Sequence, residues 1–152
     1  SPRAESAPRS GNLRTRRTFT DLERSEFRTS TFEYLFNFFS NSMEEVALRN
    51  PELEGRVRRI DGNSFVAAVY RNGAFQNGCR VFLSSSIGEI GLALGENPSD
   101  GSYNEWLTIE HDGYVAGLKP GGMRMGGSPP GAVLTQEGAA EYFWGILIER
   151  LQ

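Results

Sequence analysis

The chain has 152 residues, 38% hydrophobic and 11% aromatic, which suffices for one domain with a packed core. Its single cysteine excludes internal disulfides, and no apolar run approaches the ~18 residues that a membrane span requires. The net charge of −3 conceals an asymmetry: residues 1–17 hold five arginines and one glutamate, whereas the remainder holds 11 basic and 18 acidic residues and is therefore a poor general binder of polyanions.

Residues 1–17 consist mainly of Pro, Ser, Ala, Gly and Arg, with Leu13 the lone large apolar residue. Such a segment buries too little apolar surface to offset its ordering entropy, so we interpret it as a flexible Arg-rich linker. Residues 18–152 are then one domain. Because the sequence also lacks an initiating methionine, we expect a module from the C-terminal end of a longer protein.

The next segment predicts a long N-terminal helix. Two sets of residues have the spacing of a capping box, Thr20–Glu23 and Ser30–Glu33. Apolar residues recur at helical spacing after the second one, and Asn50-Pro51 ends the pattern. We therefore expect a helix from Ser30 to Asn50 whose aromatic stripe faces the core, with a hydrophobic ligand cradle as the less common alternative.

A period of two follows from residue 64, which is typical of strands. Residues 64–70, 79–85 and 87–95 are predicted strands, and Asn72-Gly73 is a strong hairpin dipeptide. Asn77-Gly78 competes with it, so we expect a bulge or a longer loop. We interpret residues 52–63 as a charged approach to the first strand, although Arg58 and Arg59 within it are also candidates for nucleic-acid contact.

"YNEWLTIEHDGYVAGLKPGGM", residues 103–123, predicts a hairpin closed by a two-residue Asp112-Gly113 turn. That register places Ile109 opposite Ala116 on an apolar face. It places Trp106 opposite Lys119 on a mixed face, as a cation–π pair.

Residues 119–132 are predicted to be an irregular Gly-rich loop, and residues 134–152 a final helix with Thr135 as N-cap. The predicted fold is thus α+β: an antiparallel sheet of about five strands packed with a long N-terminal helix and a C-terminal helix.

The side chains that could take part in catalysis are better explained by structural roles. Cys79 and His111 are candidates for a nucleophile–base pair, but a buried cysteine and an ordinary turn histidine are the commoner outcomes. Glu96, Asp100 and Glu105 are candidates for an acidic cluster, although acids in turns are usually solvated. No metal or cofactor site is predicted. A small hydrolase-type enzyme using Cys79 and His111, or the acids, remains the alternative.

The candidate docking residues are one aromatic residue and several cationic residues that the predicted core does not require. Lys119 and Arg124 belong to the Gly-rich loop and Trp106 faces Lys119 in the predicted hairpin, and we expect these three residues to contact a ligand or partner. Arg58 and Arg59 are added as a second basic surface. The third hypothesis, a nucleic-acid-binding module led by the Arg-rich tail, lacks the aromatic ladder of the common RNA-binding folds.

The stretch "SYNEWLTIEHDGYVAGLKPGGM", and more faintly "LTQEGAAEYFWGILIERLQ", resembles accessory modules of bacterial TIR-type defence proteins. The resemblance covers the last third of the chain and carries no catalytic residue onto it. It implies a sensing, assembly or cargo-recognition domain beside a separate effector domain. From all of this we expect a cytoplasmic, bacterial, non-catalytic module that binds a protein partner or itself, and with less weight a small molecule.

Overall fold

The computed structural model describes residues 8, 10, 13, 15–98, 104–122 and 132–152. Helix α1 spans Asp21–Arg49 and helix α2 spans Gln136–Ile148, followed by a short 3-10 turn at Glu149–Leu151. The strands are β1 (Leu53–Asp61), β2 (Ser64–Arg71), β3 (Ala74–Leu83), β4 (Ile90–Leu94), β5 (Glu105–His111) and β6 (Ala116–Gly122). Every strand pairs antiparallel with its neighbour in sequence, in the order β1-β2-β3-β4-β5-β6. The predicted α+β class is confirmed, with six strands among the described residues rather than five.

Helix α1 begins at the first of the two predicted capping boxes. The Thr20 hydroxyl accepts from the N–H of Glu23, and the Glu23 carboxylate accepts from the N–H of Thr20, both at 3.1 Å. The predicted start at Ser30 is wrong, because no glycine or proline interrupts residues 21–49 and the helix runs through. The Ser30 hydroxyl instead accepts from the Gln136 side chain at the start of α2 (3.2 Å).

Strand β1 is the element that sequence reasoning missed. Its inward positions are Leu53, Gly55, Val57 and Arg59, and the intervening residues are exposed. Arg59 breaks the expected apolar alternation because a charged residue occupies an inward position. Its guanidinium bonds to Glu33 of α1 (2.6 and 3.0 Å) and lies 4.5 Å from the centroid of the Phe36 ring. Because this half-buried cation occupies an inward position, the strand has the sequence pattern of a charged connection.

Both helices pack on one face of the sheet and form an aromatic core with it. Phe65 of β2 is fully buried at its centre, with the rings of Phe32, Phe36 and Phe39 of α1 at 5.4–5.6 Å. Phe39 also meets Trp144 of α2 edge-on at 5.4 Å. The predicted assignment of the aromatic stripe to the core is confirmed.

The β2–β3 hairpin matches its prediction, since Asn72 (φ 50°) and Gly73 (φ 84°) form a two-residue turn and the register shifts at Val69/Tyr70 as a bulge. The β5–β6 hairpin does not. His111 lies opposite Ala116, so the loop has four residues and the predicted register is wrong by two.

The side chain of Asp112 explains the longer β5–β6 loop. Its carboxylate accepts from the N–H groups of Val115 (2.9 Å) and Tyr114 (2.8 Å), and these bonds hold the pKa of Asp112 below its ordinary value. With these hydrogen bonds the loop contains four residues, two more than the predicted hairpin loop. A shift of two preserves the side-chain faces, so Ile109 still points inward, but opposite Leu118.

The end of β6 corrects a further prediction. Lys119–Gly122 belong to this strand rather than to an irregular loop, and Pro120 is tolerated there near the edge of the sheet. Leu118 exchanges two backbone hydrogen bonds with Leu134 (2.7 and 2.8 Å), after which the Thr135 hydroxyl accepts from the N–H of Gly138 (3.0 Å) and caps α2 as predicted. Residues 123–131 lie outside the described part of the chain.

Within the described ranges, neither helix combines the length and apolar content needed to cross a bilayer.

Candidate functional site

The sheet has a second face, turned away from both helices, which we call the outer face. Over β1, β2 and β3 it forms a groove of about 740 Å³, closed on one side by the loop Glu96–Pro98. We call this the outer groove. Its outward-pointing side chains are Arg56, Arg58 and Ile60 of β1, Val66, Ala68 and Tyr70 of β2, and Arg80 of β3. A volume of this size admits a small ligand or a segment of another protein.

The outer groove combines an apolar floor with a charged rim. Val66 and Ala68 are half-buried along the floor, and the exposed Arg58 stands opposite Val66. Arg56 bonds to Glu54 two residues earlier on the same strand (3.0 Å), and both side chains are largely exposed. Such a surface, apolar at its centre and of mixed charge at its border, is typical of protein-docking sites.

The structure separates the two adjacent arginines proposed as a basic surface. Arg58 points outward into the outer groove, whereas Arg59 points inward and is bonded to Glu33. Arg59 therefore joins β1 to α1, and its role as a docking residue gains no support from its position.

Trp106 lies on the other half of the outer face, half-buried and opposite Gly121. A Cβ at Gly121 would stand 2.3 Å from the indole Nε1, and one at Gly88 would stand 2.9 Å from the indole Cδ1. The indole thus packs flat against glycine backbone. Lys119 is exposed opposite Thr108 rather than Trp106, which corrects the predicted pairing. Arg124 falls outside the described residues.

The two candidate nucleophile–base partners are far apart. Cys79 is 1% exposed on the inward face of β3, and burial raises the pKa of its thiol to about 12. His111 ends β5, two strands away and displaced by about 25 Å along the strand direction. The predicted buried cysteine is confirmed. The alternative in which Cys79 and His111 act together is therefore not supported.

His111 is held by its surroundings at the β5–β6 turn. Phe19 stacks on its ring at 4.3 Å with the planes 7° apart, and its Nδ1 accepts from the N–H of Gly113 (3.0 Å). Arg17, the last residue of the predicted linker, donates its N–H to the Gly113 carbonyl (3.1 Å). The imidazole thus packs the segment before α1 against the hairpin. The linker boundary itself stays a prediction.

The predicted acidic cluster does not assemble from the described residues. Glu105 is fully buried on the inward face of β5, whereas Glu96 is exposed in the loop beside the outer groove. Asp100 lies outside the described part of the chain. In that part, no three residues of the His, Cys, Asp or Glu types come together in a way that would hold a metal ion.

Sequence reasoning missed the residues that form the floor of the outer groove. A sequence pattern that indicates this floor is present in "SFVAAVY", where the outward residues Val66, Ala68 and Tyr70 alternate with inward ones. The inward residues are Phe65, Ala67 and Val69. A strand apolar on both faces belongs to a sheet that is covered on both sides or that docks a partner.

Comparison with known proteins places this architecture in a family. A family model described as the Y4lF protein domain matches residues 54–149, from the second residue of β1 to the residue after α2. The chain belongs to the Y4lF family. No solved structure matches this Y4lF domain.

A curated relative is similar along nearly the whole chain. It is an uncharacterized protein, y4lF, of Sinorhizobium fredii (strain NBRC 101917 / NGR234), 41% identical over 147 residues. The match covers 95% of this chain but 46% of the relative. This Y4lF domain therefore spans about half the length of the curated relative it matches.

Proposed function

We propose that this domain is a non-catalytic interaction module that docks a protein partner in the outer groove. The observation that carries the proposal is the groove itself, an open site of about 740 Å³ on a sheet face away from both helices. Its floor of Val66 and Ala68 supplies apolar contact, and the exposed Arg58 supplies directional contacts at its border. Arginine beside aromatic and aliphatic groups is the composition enriched at protein interfaces.

The position of the reactive side chains supports the same conclusion. The thiol of Cys79 faces the core and the imidazole of His111 stacks under Phe19, so both serve packing. We expect the groove to bind nucleic acid more weakly than its three arginines alone would, because Arg56 is paired with Glu54 and Glu96 lines the same groove. A surface of both charge signs favours a protein partner.

The family context fits a module within a larger bacterial protein. The relative from Sinorhizobium fredii is about twice as long as the matched segment, which supports a second domain beside this one. The resemblance to accessory modules of TIR-type defence proteins extends the proposal: this domain senses or assembles, and its neighbour acts. On this proposal the domain works in the cytoplasm.

A groove-filling substitution tests the proposal. Ala68→Arg places a long charged side chain on the floor of the outer groove, whereas Ser25→Arg adds the same side chain on an exposed position of α1. We expect the fluorescently labelled domain to sediment faster in extract of its source cells than in buffer, the Ser25 variant to do the same, and the Ala68 variant to sediment as in buffer. Equal sedimentation of all three in extract contradicts docking in the groove.

A further inference from the structure

Strand β1 is an edge strand whose outer edge has no neighbouring strand among the described residues. The carbonyl of Glu52 accepts from the N–H of Asn72 and therefore points towards β2. By the alternation of an antiparallel ladder, the backbone groups of Gly55 and Val57 point to the open side, together with the carbonyl of Leu53. Open edges of this kind are templates for pairing with another strand.

The charges beside this edge are arranged antisymmetrically. The charged outward side chains of β1 are Glu54, Arg56 and Arg58, and Glu52, whose carbonyl begins the ladder just before the strand, extends this series so that Gly55 is its midpoint. All four are exposed. Reversing the direction of this segment exchanges every acidic position for a basic one. A second copy running antiparallel is therefore charge-complementary to it, whereas an arbitrary strand is not.

We propose that two copies of this domain pair antiparallel through β1, centred on Gly55, to form one continuous sheet of twelve strands. In this register each Glu54 faces Arg56 of the other copy and each Glu52 faces Arg58. Leu53 faces Val57 on the inward side. The inference goes beyond the proposed function, because the open edge of β1 is a surface separate from the outer groove and a second copy of this chain is its occupant.

The backbone is compatible with this register. Centring on Gly55 sets the open N–H and carbonyl groups of the two Gly55 residues against each other, as a hydrogen-bonded pair requires. The Glu–Arg pairs then occupy the non-hydrogen-bonded positions, where facing side chains lie closest. The backbone thus permits this alignment, and the charges select it, because registers centred one residue to either side set Glu54 opposite Glu54 or Arg56 opposite Arg56.

The helices also permit this approach. A second groove of about 410 Å³ lies between α1 and β1, lined by Ser40, Ala47, Leu48 and Gly55 among others. Glu44 lines the same groove, and Leu48, 78% exposed in the single domain, is the large apolar side chain there that a second copy centred on Gly55 would approach.

Charge-reversed variants test the proposal. Sedimentation equilibrium across a concentration series measures the mass of each variant and therefore its dimerisation. Glu52→Arg with Glu54→Arg makes the edge wholly basic, and Arg56→Glu with Arg58→Glu makes it wholly acidic. We expect wild type to dimerise and each variant alone to do so about 100-fold more weakly. The two variants mixed should restore the dimer, as should all four substitutions in one chain, which also confirms that the variants fold.

Wild type that stays monomeric throughout the series, or variants that dimerise as wild type does, overturns the inference. That failure is separable from failure of the proposed function. Suppose that the domain is monomeric but still sediments faster in extract, and that Ala68→Arg abolishes this effect. The outer groove then remains a docking site, and only the pairing of a second copy along the β1 edge is excluded.

Discussion

Phe65→Ala is expected to lower the free energy of unfolding by about 3–5 kcal/mol, the range for emptying a fully buried aromatic site. Phe65 is 0% exposed, and three rings of α1 surround it. Removing it leaves a cavity between the sheet and the helix that those rings cannot fill without leaving their rotamers. Urea unfolding followed by circular dichroism measures the loss. A cost this large takes away a substantial part of the stability of a domain this size.

Phe82→Ala is the matched control, because Phe82 lies on the outer side of the same sheet and is only partly buried. It should cost clearly less than Phe65→Ala. Equal losses in the two variants would mean that the core does not lie between the sheet and α1 as described.

Glu89→Ala is expected to cost about 2–3 kcal/mol by the same measurement, because one carboxylate joins three elements. Glu89 precedes β4, forms an ion pair with Arg24 of α1, and accepts from the N–H of Ile109 in β5 (2.8 Å). Its side chain is 18% exposed. The substitution leaves the Ile109 N–H without this acceptor and a partly buried guanidinium without its counter-ion.

The control for Glu89 is an ion pair of similar geometry in full solvent. Glu45 bonds to Arg49 one turn later on α1 (2.8 Å), with side chains 56% and 75% exposed. Glu45→Ala should change the free energy of unfolding by no more than about 0.5 kcal/mol, as for exposed helix pairs. If Glu45→Ala cost as much as Glu89→Ala, burial would not be the source of the effect.

The parts of the fold that follow from local rules were predictable. The Thr20 capping box, the Asn72-Gly73 turn and the Thr135 cap each depend on a few adjacent residues. What escaped prediction depends on distant partners. From the sequence alone Arg59 would be assigned to the surface, because its partner Glu33 belongs to a distant segment, α1. The register of the β5–β6 hairpin depends on the Asp112 side chain, whose bonds compete with the shorter turn.

The sequence prediction placed docking residues on the outer face over β5 and β6, whereas the groove proposed here lies on that face over β1, β2 and β3. An exposed tryptophan beside a lysine is a reasonable docking signal, yet the backbone of Gly88 and Gly121 already covers the indole of Trp106. The outer groove arises only when β1 adds its outward arginines beside Val66 and Ala68. Since β1 was not recognised as a strand, no sequence pattern united these residues, although Arg58 was named among the candidates.

The most direct test of docking through the outer groove is photo-crosslinking from within it. A benzophenone side chain in place of Tyr70, which lines the groove, reports what touches that surface in living cells, and the same group in place of Ser25 on α1 reports the opposite side. We predict a discrete protein adduct from position 70 and none from position 25. Equal labelling from both positions, or none from position 70, would contradict an interaction module that works through this face.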